Sequence, residues 1–348
     1  KNVYLGHRRL VIIDPDNGKQ PMNFSYFGNE YIIVYNGQIY NSKELRKELI
    51  EKGFEFSGYS DTEVLLKAFI CFGTAILSRL NGIFSFAIWN KTKKELFLVR
   101  DHFGIKPLYY SLVDNSLIFG SEVKALCEHP KIKLELDSTG ICELFGLGPS
   151  HTPGNGIFKN ICEVKPAHFL LFNESGIHIE EYWKLESKLH TDDFNTTCDT
   201  IRFLLEDSIS HQLVSDVPLC SMLSGGLDSS IITAYASNYN KEHNLPPLET
   251  FSVDYVDNDI NFVKSDFQPN SDNYYINIMK NHFNTNHHSI VIDTPELAEN
   301  LESEKFPGMV ICLDGELGSG KTVFVKGTIT NQDGKKVCKA NIQLGVRE

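Results

Sequence analysis

No apolar run in the sequence approaches the roughly 20 residues that cross a bilayer, and residues 1–14 lack the long apolar core of a signal peptide. A cytoplasmic protein with no membrane partner is therefore expected. Positive charge is also scarce. The chain has 33 Lys and Arg against 45 Asp and Glu, a formal net charge of −12. Nonspecific nucleic-acid binding needs a basic face, so no nucleic-acid partner is expected. The eight cysteines, at 71, 127, 142, 162, 198, 220, 312 and 338, include no C-x-x-C pair, and no histidine stands at zinc-ligand spacing from them. They read as buried free thiols in a reducing compartment. The chain opens on Lys1 inside a patterned segment and reads as a piece of something longer.

With 348 residues, of which 41% are hydrophobic and 22% charged, there is room for two globular domains. The most informative stretch is Ser224-Gly225-Gly226-Leu227-Asp228-Ser229-Ser230, lying between the apolar runs 217–223 and 231–236. It reads as strand, glycine turn and helix. Paired glycines let the backbone approach a ligand closely, and the free N–H groups of a helix start favour an anion. Asp228 is placed to share Mg²⁺ with a phosphate. The plainer alternative is that Asp228 and Ser229 only cap the helix. The heptapeptide resembles the pyrophosphate loop of the ATP pyrophosphatases. With Leu204-Leu205-Glu206-Asp207-Ser208 and Asp216-Val217-Pro218 ahead of it, the region resembles the synthetase domain of glutamine-hydrolysing asparagine synthetases.

Residues 1 to about 190 read as α+β. A strand is expected at 31–35, a helix from Asn41-Ser42 to Lys52, and a second helix over 61–72 ending at Gly73. Hairpins are expected at 83–89 with 95–99, and at 108–113 with 117–119 across Asp114-Asn115. Five blocks, Gly6-His7-Arg8-Arg9-Leu10, Tyr35-Asn36-Gly37-Gln38-Ile39-Tyr40-Asn41, Ser60-Asp61-Thr62-Glu63, Arg100 to Tyr110 and Ser121 to Leu126, resemble the N-terminal-nucleophile glutaminase domain of the same family. The resemblance implies an αββα sandwich. It makes Asn36, through its amide, and Gly37, through its N–H, the oxyanion hole, with Arg9 and Asp61 holding the carboxylate and ammonium of glutamine. Gln38 stands where an acidic residue is common. Taken singly, Asn-Gly is a common turn, Asp61 an N-cap and Arg9 a surface cation. The nucleophilic cysteine is expected upstream of Lys1, so the chain as given is not expected to hydrolyse glutamine. Arg100 to Tyr110 reads as a structural turn. Residues 146–198 read as connection, with the polar stretch 187–200 as linker.

Beyond it, a helix over 200–214, strands at 219–223, 250–253 and 287–292 and a helix over 272–283 imply a parallel sheet with ligand at its carboxyl edge. Adjacent His287 and His288 would face opposite ways, which disfavours metal binding. By resemblance, Val253 lies near the adenine. The family's second acidic, glycine-rich loop is missing, and the resemblance fades near Glu304. Gly315, Gly320, Lys321 and Thr322 fit a Walker A pattern and make a second candidate phosphate loop, resembling that of the small ATPase assisting tRNA threonylcarbamoyladenosine synthesis. Residues 328–336 read as a hairpin turn. The expected organisation is thus a glutaminase domain over 1–186, an incomplete α/β ATP-pyrophosphatase domain over 187–304 and a foreign tail over 305–348.

The resemblance implies conversion of aspartate to asparagine through an aspartyl-adenylate. Glutamine, aspartate and ATP would be substrates, Mg²⁺ a cofactor, and a homodimer is compatible with it. An amidotransferase with another carboxylate acceptor, a non-catalytic glutamine- or ATP-binding relic and a P-loop NTPase fragment are the alternatives.

Overall fold

The computed structural model describes residues 3–147, 150–266 and 268–293, apart from the side chain of Asp259, and the backbone strands 311–312, 323–330 and 336–344. It divides into two compact units, Lys1–Thr197 with Val214–Val217, and Cys198–Leu213 with Pro218–Glu348.

The first unit contains β1 (Met22–Tyr26), β2 (Asn29–Ile39), α1 (Ser42–Glu51), α2 (Asp61–Phe72), a 3₁₀ turn at Gly73–Arg79, β3 (Gly82–Asn90), β4 (Glu95–Arg100), β5 (Tyr109–Val113), β6 (Ser116–Gly120), α3 (Val123–Cys127), α4 (Ser138–Gly146), β7 (Cys162–Glu163), β8 (His168–Asn173) and β9 (Gly176–Glu181). One antiparallel sheet runs β1-β2-β3-β4-β8-β9 and a second runs β6-β5-β7. Two-residue alternation on the central strands makes two cores. Phe84, Phe86 and Ile88 of β3, Val99 of β4 and Phe169 of β8 face Leu45, Leu49, Leu65 and Phe69 of the helices. Ala87, Trp89, Leu96, Leu98 and Leu170 turn the other way, toward Tyr110 and Phe119 of the second sheet and Leu108 just ahead of it. The short α3 contacts β5 and β6 and buries Leu126 completely. The layers are therefore α, β, β, α, as expected.

The hairpin β8–β9 is a correction to the sequence reading, which had connection throughout 146–198. Its signal was present: Phe169-Leu170-Leu171-Phe172 is apolar on both faces because β8 lies between two cores, and Asn173 to Gly176 makes the turn. A second correction is that α5 (Phe194–Gln212) begins inside the stretch read as linker, where the Asp193 carboxylate accepts the Thr196 N–H at 2.8 Å.

The second unit takes most of α5, then β10 (Cys220–Met222), α6 (Leu227–Glu242), β11 (Glu249–Tyr255), α7 (Asn258–Asn261), α8 (Asp272–Phe283) and β12 (Asn286–Ile292). Strands β10, β11 and β12 are parallel and adjacent in that order. Register places Ser221, Thr250 and His287 side by side on one face, where Ser221 meets Thr233 of α6 at 3.1 Å and His287 bridges Thr250 and Ser252 at 3.0 and 3.1 Å. His288 faces away and stacks on Phe251 at 4.8 Å. No group of three or more His, Cys, Asp or Glu able to hold a metal by itself occurs among the described residues. Three further strands, β13 (Ile311–Cys312), β14 (Val323–Thr330) and β15 (Lys336–Leu344), form an antiparallel sheet, in which β14 and β15 take up Thr328 to Thr330 and Lys336 of the stretch read as a turn.

Candidate functional site

Strand β2 carries Asn36, Gly37 and Gln38 and pairs with β3 so that Gly37 lies opposite Phe84. Gly37 has φ +152°, and a Cβ there would run into the Ile83 carbonyl oxygen and come within 2.7 Å of the Phe84 Cα. Only glycine fits, so this Asn-Gly is a strand position under close backbone approach, not a turn. The Asn36 amide reaches the Ser121 hydroxyl at 3.5 Å, and the Gln38 amide donates to the Val214 carbonyl at 3.3 Å.

Asp61 opens α2, but the cap is Ser60, whose hydroxyl accepts the Thr62 N–H. The Asp61 carboxylate, 8% exposed, instead accepts from the Tyr35 hydroxyl at 2.9 Å and the Ile39 N–H at 3.1 Å. Burial pushes its pKa above the ordinary carboxylate value despite these bonds. Such a group gains from a cationic partner. The helix cap and the carboxylate are thus separate residues, against the plainer reading of Asp61 as cap.

Arg9 does not lie free at the surface. Its guanidinium donates to the carbonyls of Ile13, Asp14 (3.0 Å) and Pro15 (3.4 Å). Sequence reasoning missed the residue this loop presents. Asp14, 1% exposed and at φ +49°, accepts the Tyr59 and Ser60 N–H groups at 2.6 and 3.1 Å, directly ahead of Asp61. It also missed Gln20, whose side chain clamps both backbone groups of Tyr35, at 2.6 and 3.1 Å. The nearest signal was their place in the polar run Asp14 to Gln20 after Arg9, yet their partners lie 15 to 46 residues away.

Arg100 to Tyr110 is a structural turn. The buried Arg100 pairs with buried Glu163 at 2.6 Å and donates to the Gly104, Lys106 and Val164 carbonyls. Asp101 accepts from the N–H groups of Phe103, Ile105, Lys106 and, at 3.3 Å, Phe84. The turn therefore braces the β3 residue that faces Gly37.

In the second unit the candidate phosphate loop follows β10. Gly225 has φ +81°, and a Cβ there would meet the Asp272 carbonyl oxygen at 2.6 Å. Gly226 is the N-cap of α6 and no side chain caps the helix. Ser229 turns its hydroxyl back to the Gly226 carbonyl at 3.1 Å and to the Ser224 hydroxyl at 3.0 Å. Asp228 is exposed in the first turn. This donor set, an uncapped helix start beside glycine backbone with a carboxylate in the first turn, fits a polyphosphate carrying Mg²⁺. Val253 sits in β11, toward the same carboxyl edge of the sheet. A cleft of about 340 Å³ next to the loop is lined by Gly225, Leu227, Ser230, Tyr275, Ile278 and Met279. The Walker A residues Gly315, Gly320, Lys321 and Thr322 lie outside the described residues. Strand β14 follows at once, where a P-loop would lead into a helix.

A glutamine amidotransferase domain model matches residues 1–183, and an asparagine synthase model matches residues 200–314. The chain is 47% identical over 312 residues to asparagine synthetase [glutamine-hydrolyzing] 3 of Bacillus subtilis, covering 88% of this chain and 51% of that protein. It is 37% identical over 254 residues to asparagine synthetase [glutamine-hydrolyzing] 1 of the same organism, covering 73% and 39%. The chain thus spans about half the length, or less, of these relatives. Among solved structures, glutamine phosphoribosylpyrophosphate amidotransferase from B. subtilis aligns at 20% identity and TM-score 0.34, over 65% of this chain and 47% of that one. The chain belongs to the glutamine amidotransferase domain family, and its segment 200–314 is similar to the asparagine synthases.

Proposed function

We propose that the chain serves ATP- and glutamine-dependent conversion of aspartate to asparagine through an aspartyl-adenylate, its first unit holding glutamine and its second the pyrophosphate end of Mg·ATP. The observation that carries the reading is the uncapped start of α6 after two glycines at the carboxyl end of β10, in the same chain as the buried carboxylate of Asp61. Asp61 would take the ammonium of glutamine and Arg9 its carboxylate, while Asn36 and the Gly37 N–H would face the side-chain carbonyl oxygen. Gln38 would border that site. Ser224, Gly225, Gly226 and Ser229 would surround the phosphates, Asp228 would hold Mg²⁺ and Val253 would lie near the base. Mg²⁺ supplies charge neutralisation on the leaving pyrophosphate. Calorimetric titration of the chain with L-glutamine, and separately with Mg·ATP, tests the reading. It expects one site for each ligand, glutamine lost with Asp61→Asn and Mg·ATP with Asp228→Asn. Absence of both heats refutes it.

A further inference from the structure

Asp14 lies in no motif assigned to a ligand, yet it joins the two residues proposed to grip the ends of glutamine. Its carboxylate is 1% exposed and is filled by protein donors. One oxygen accepts the backbone N–H of Asn17 at 3.0 Å and its amide at 3.1 Å. The other accepts the Tyr59 N–H at 2.6 Å and the Ser60 N–H at 3.1 Å. Its backbone carbonyl accepts from Arg9 at 3.0 Å, and its N–H donates to the Asp216 carboxylate at 2.8 Å, which also accepts the Tyr59 hydroxyl at 2.8 Å. The left-handed φ of +49° is held by this ring of bonds. The loop is held at Ser57 and Gly58 by the Glu63 carboxylate, and at its last two residues, Tyr59 and the α2 cap Ser60, by Asp14; Asp61 is the next residue. The Asp14 side chain therefore ties the backbone just ahead of Asp61 to the loop that Arg9 grips.

We propose that Asp14 is a positioning residue for amino-acid recognition, holding the Asp61 carboxylate in place relative to the Arg9 loop. The proposal rests on glutamine being the ligand of this unit. It predicts a selective defect. The Asp14 side chain acts on Asp61 through the 59–60 backbone, whereas Arg9 is held by three carbonyls, two of which, those of Ile13 and Pro15, do not belong to Asp14. Loss of the carboxylate should therefore weaken the hold on the ammonium and spare the hold on the carboxylate.

The test is calorimetry on the whole chain with two probes, L-glutamine and glutaramate, which is glutamine without its α-amino group. Asp14→Ala should bind glutamine at least about tenfold more weakly, equivalent to about 1.4 kcal/mol, and glutaramate within about threefold of wild type. If that variant shows no cooperative melt, Asp14→Asn carries the same comparison. Asparagine accepts the left-handed backbone and leaves one acceptor oxygen for four N–H groups, so the same ligand selectivity is expected with a smaller loss. Equal loss for both probes, or no loss for glutamine, overturns the positioning role while the glutamine site stands. No glutamine binding by wild type overturns the site and the role together.

Discussion

Asp61→Asn should separate ligand binding from stability. In the free protein the carboxylate is buried, and burial raises its pKa, so the ionised form is held at a cost. One carboxylate oxygen takes both the Tyr35 hydroxyl and the Ile39 N–H. An asparagine with its carbonyl oxygen in that place keeps both bonds and discards the charge. Stability at neutral pH should then stay within about 1 kcal/mol of wild type or rise. The sign follows from linkage. A carboxyl whose folded pKa is raised contributes its full stability below the unfolded value near 3.9, and that contribution is lost as pH rises through the folded value. The melting temperature of the variant should therefore gain on wild type between about pH 4 and 7. Binding goes the other way, because an ammonium brought against a buried carboxylate loses a charge partner worth about 2–3 kcal/mol, roughly 30- to 150-fold in Kd. Calorimetry with glutamine at pH 7, beside scanning calorimetry across that pH range, reads both. Unchanged glutamine affinity in a folded variant refutes Asp61 as the ammonium acceptor, and a fall of many degrees in Tm refutes the isostere argument.

Gly225→Ala must place a methyl 2.6 Å from the Asp272 carbonyl oxygen at φ +81°. It should cost about 1–3 kcal/mol of stability and weaken Mg·ATP by about tenfold or more, read by melting and calorimetry, with unchanged ATP affinity counting against the loop as phosphate site. Glu163→Gln leaves the buried Arg100 guanidinium without a counter-charge, hydrogen-bonded only to neutral oxygens. A loss of about 3 kcal/mol in urea unfolding of the first unit is expected. His287 is held below its ordinary pKa first by burial and then by Lys280 and His288. A lowered folded pKa means that the unfolded chain binds the proton first. Stability of the second unit should thus be complete above about pH 6.5 and fall as pH drops below it. His287→Gln should flatten that fall in a melting series from pH 7.5 to 5.5, and an unchanged slope would show that His287 does not cause it.

What could be read from the sequence was what neighbours in sequence decide. Helix α2 runs over the expected 61–72 because Ser60 and Gly73, the two ends of its own segment, punctuate it. The β5–β6 turn falls at Asp114-Asn115 because both residues accept positive φ, at +46° and +61°. The hidden parts depend on remote partners. Whether Asp61 or Ser60 caps α2 depends on Tyr35 and Ile39, more than 20 residues away. Whether Arg9 is free depends on a loop fold that brings three carbonyls to one guanidinium. Strand β8, like β3 and β4, faces two cores and shows no alternation, so it had to be read from its apolar run and the turn after Asn173, which the crowded glycines and prolines ahead of it masked.

The phosphate loop shows the same division within seven residues. Composition left two readings, an anion site and a helix capped by Asp228 or Ser229, since both need small polar residues around glycine. Geometry separates them. Helix α6 starts at Leu227, so Asp228 and Ser229 are its second and third residues and lie too far along to cap it. Ser229 spends its hydroxyl on the Gly226 carbonyl and on Ser224, and Asp228 points its charge outward from the first turn. A loop selected only to start a helix would place one of these side chains on the leading N–H groups, a contribution of about 1 kcal/mol. Here that contribution is forgone and the backbone is held open by a glycine at positive φ. The leading N–H groups are thereby left without a side-chain cap, which supports the proposal that they receive a ligand with many acceptor oxygens and negative charge, as the helix dipole favours at that end.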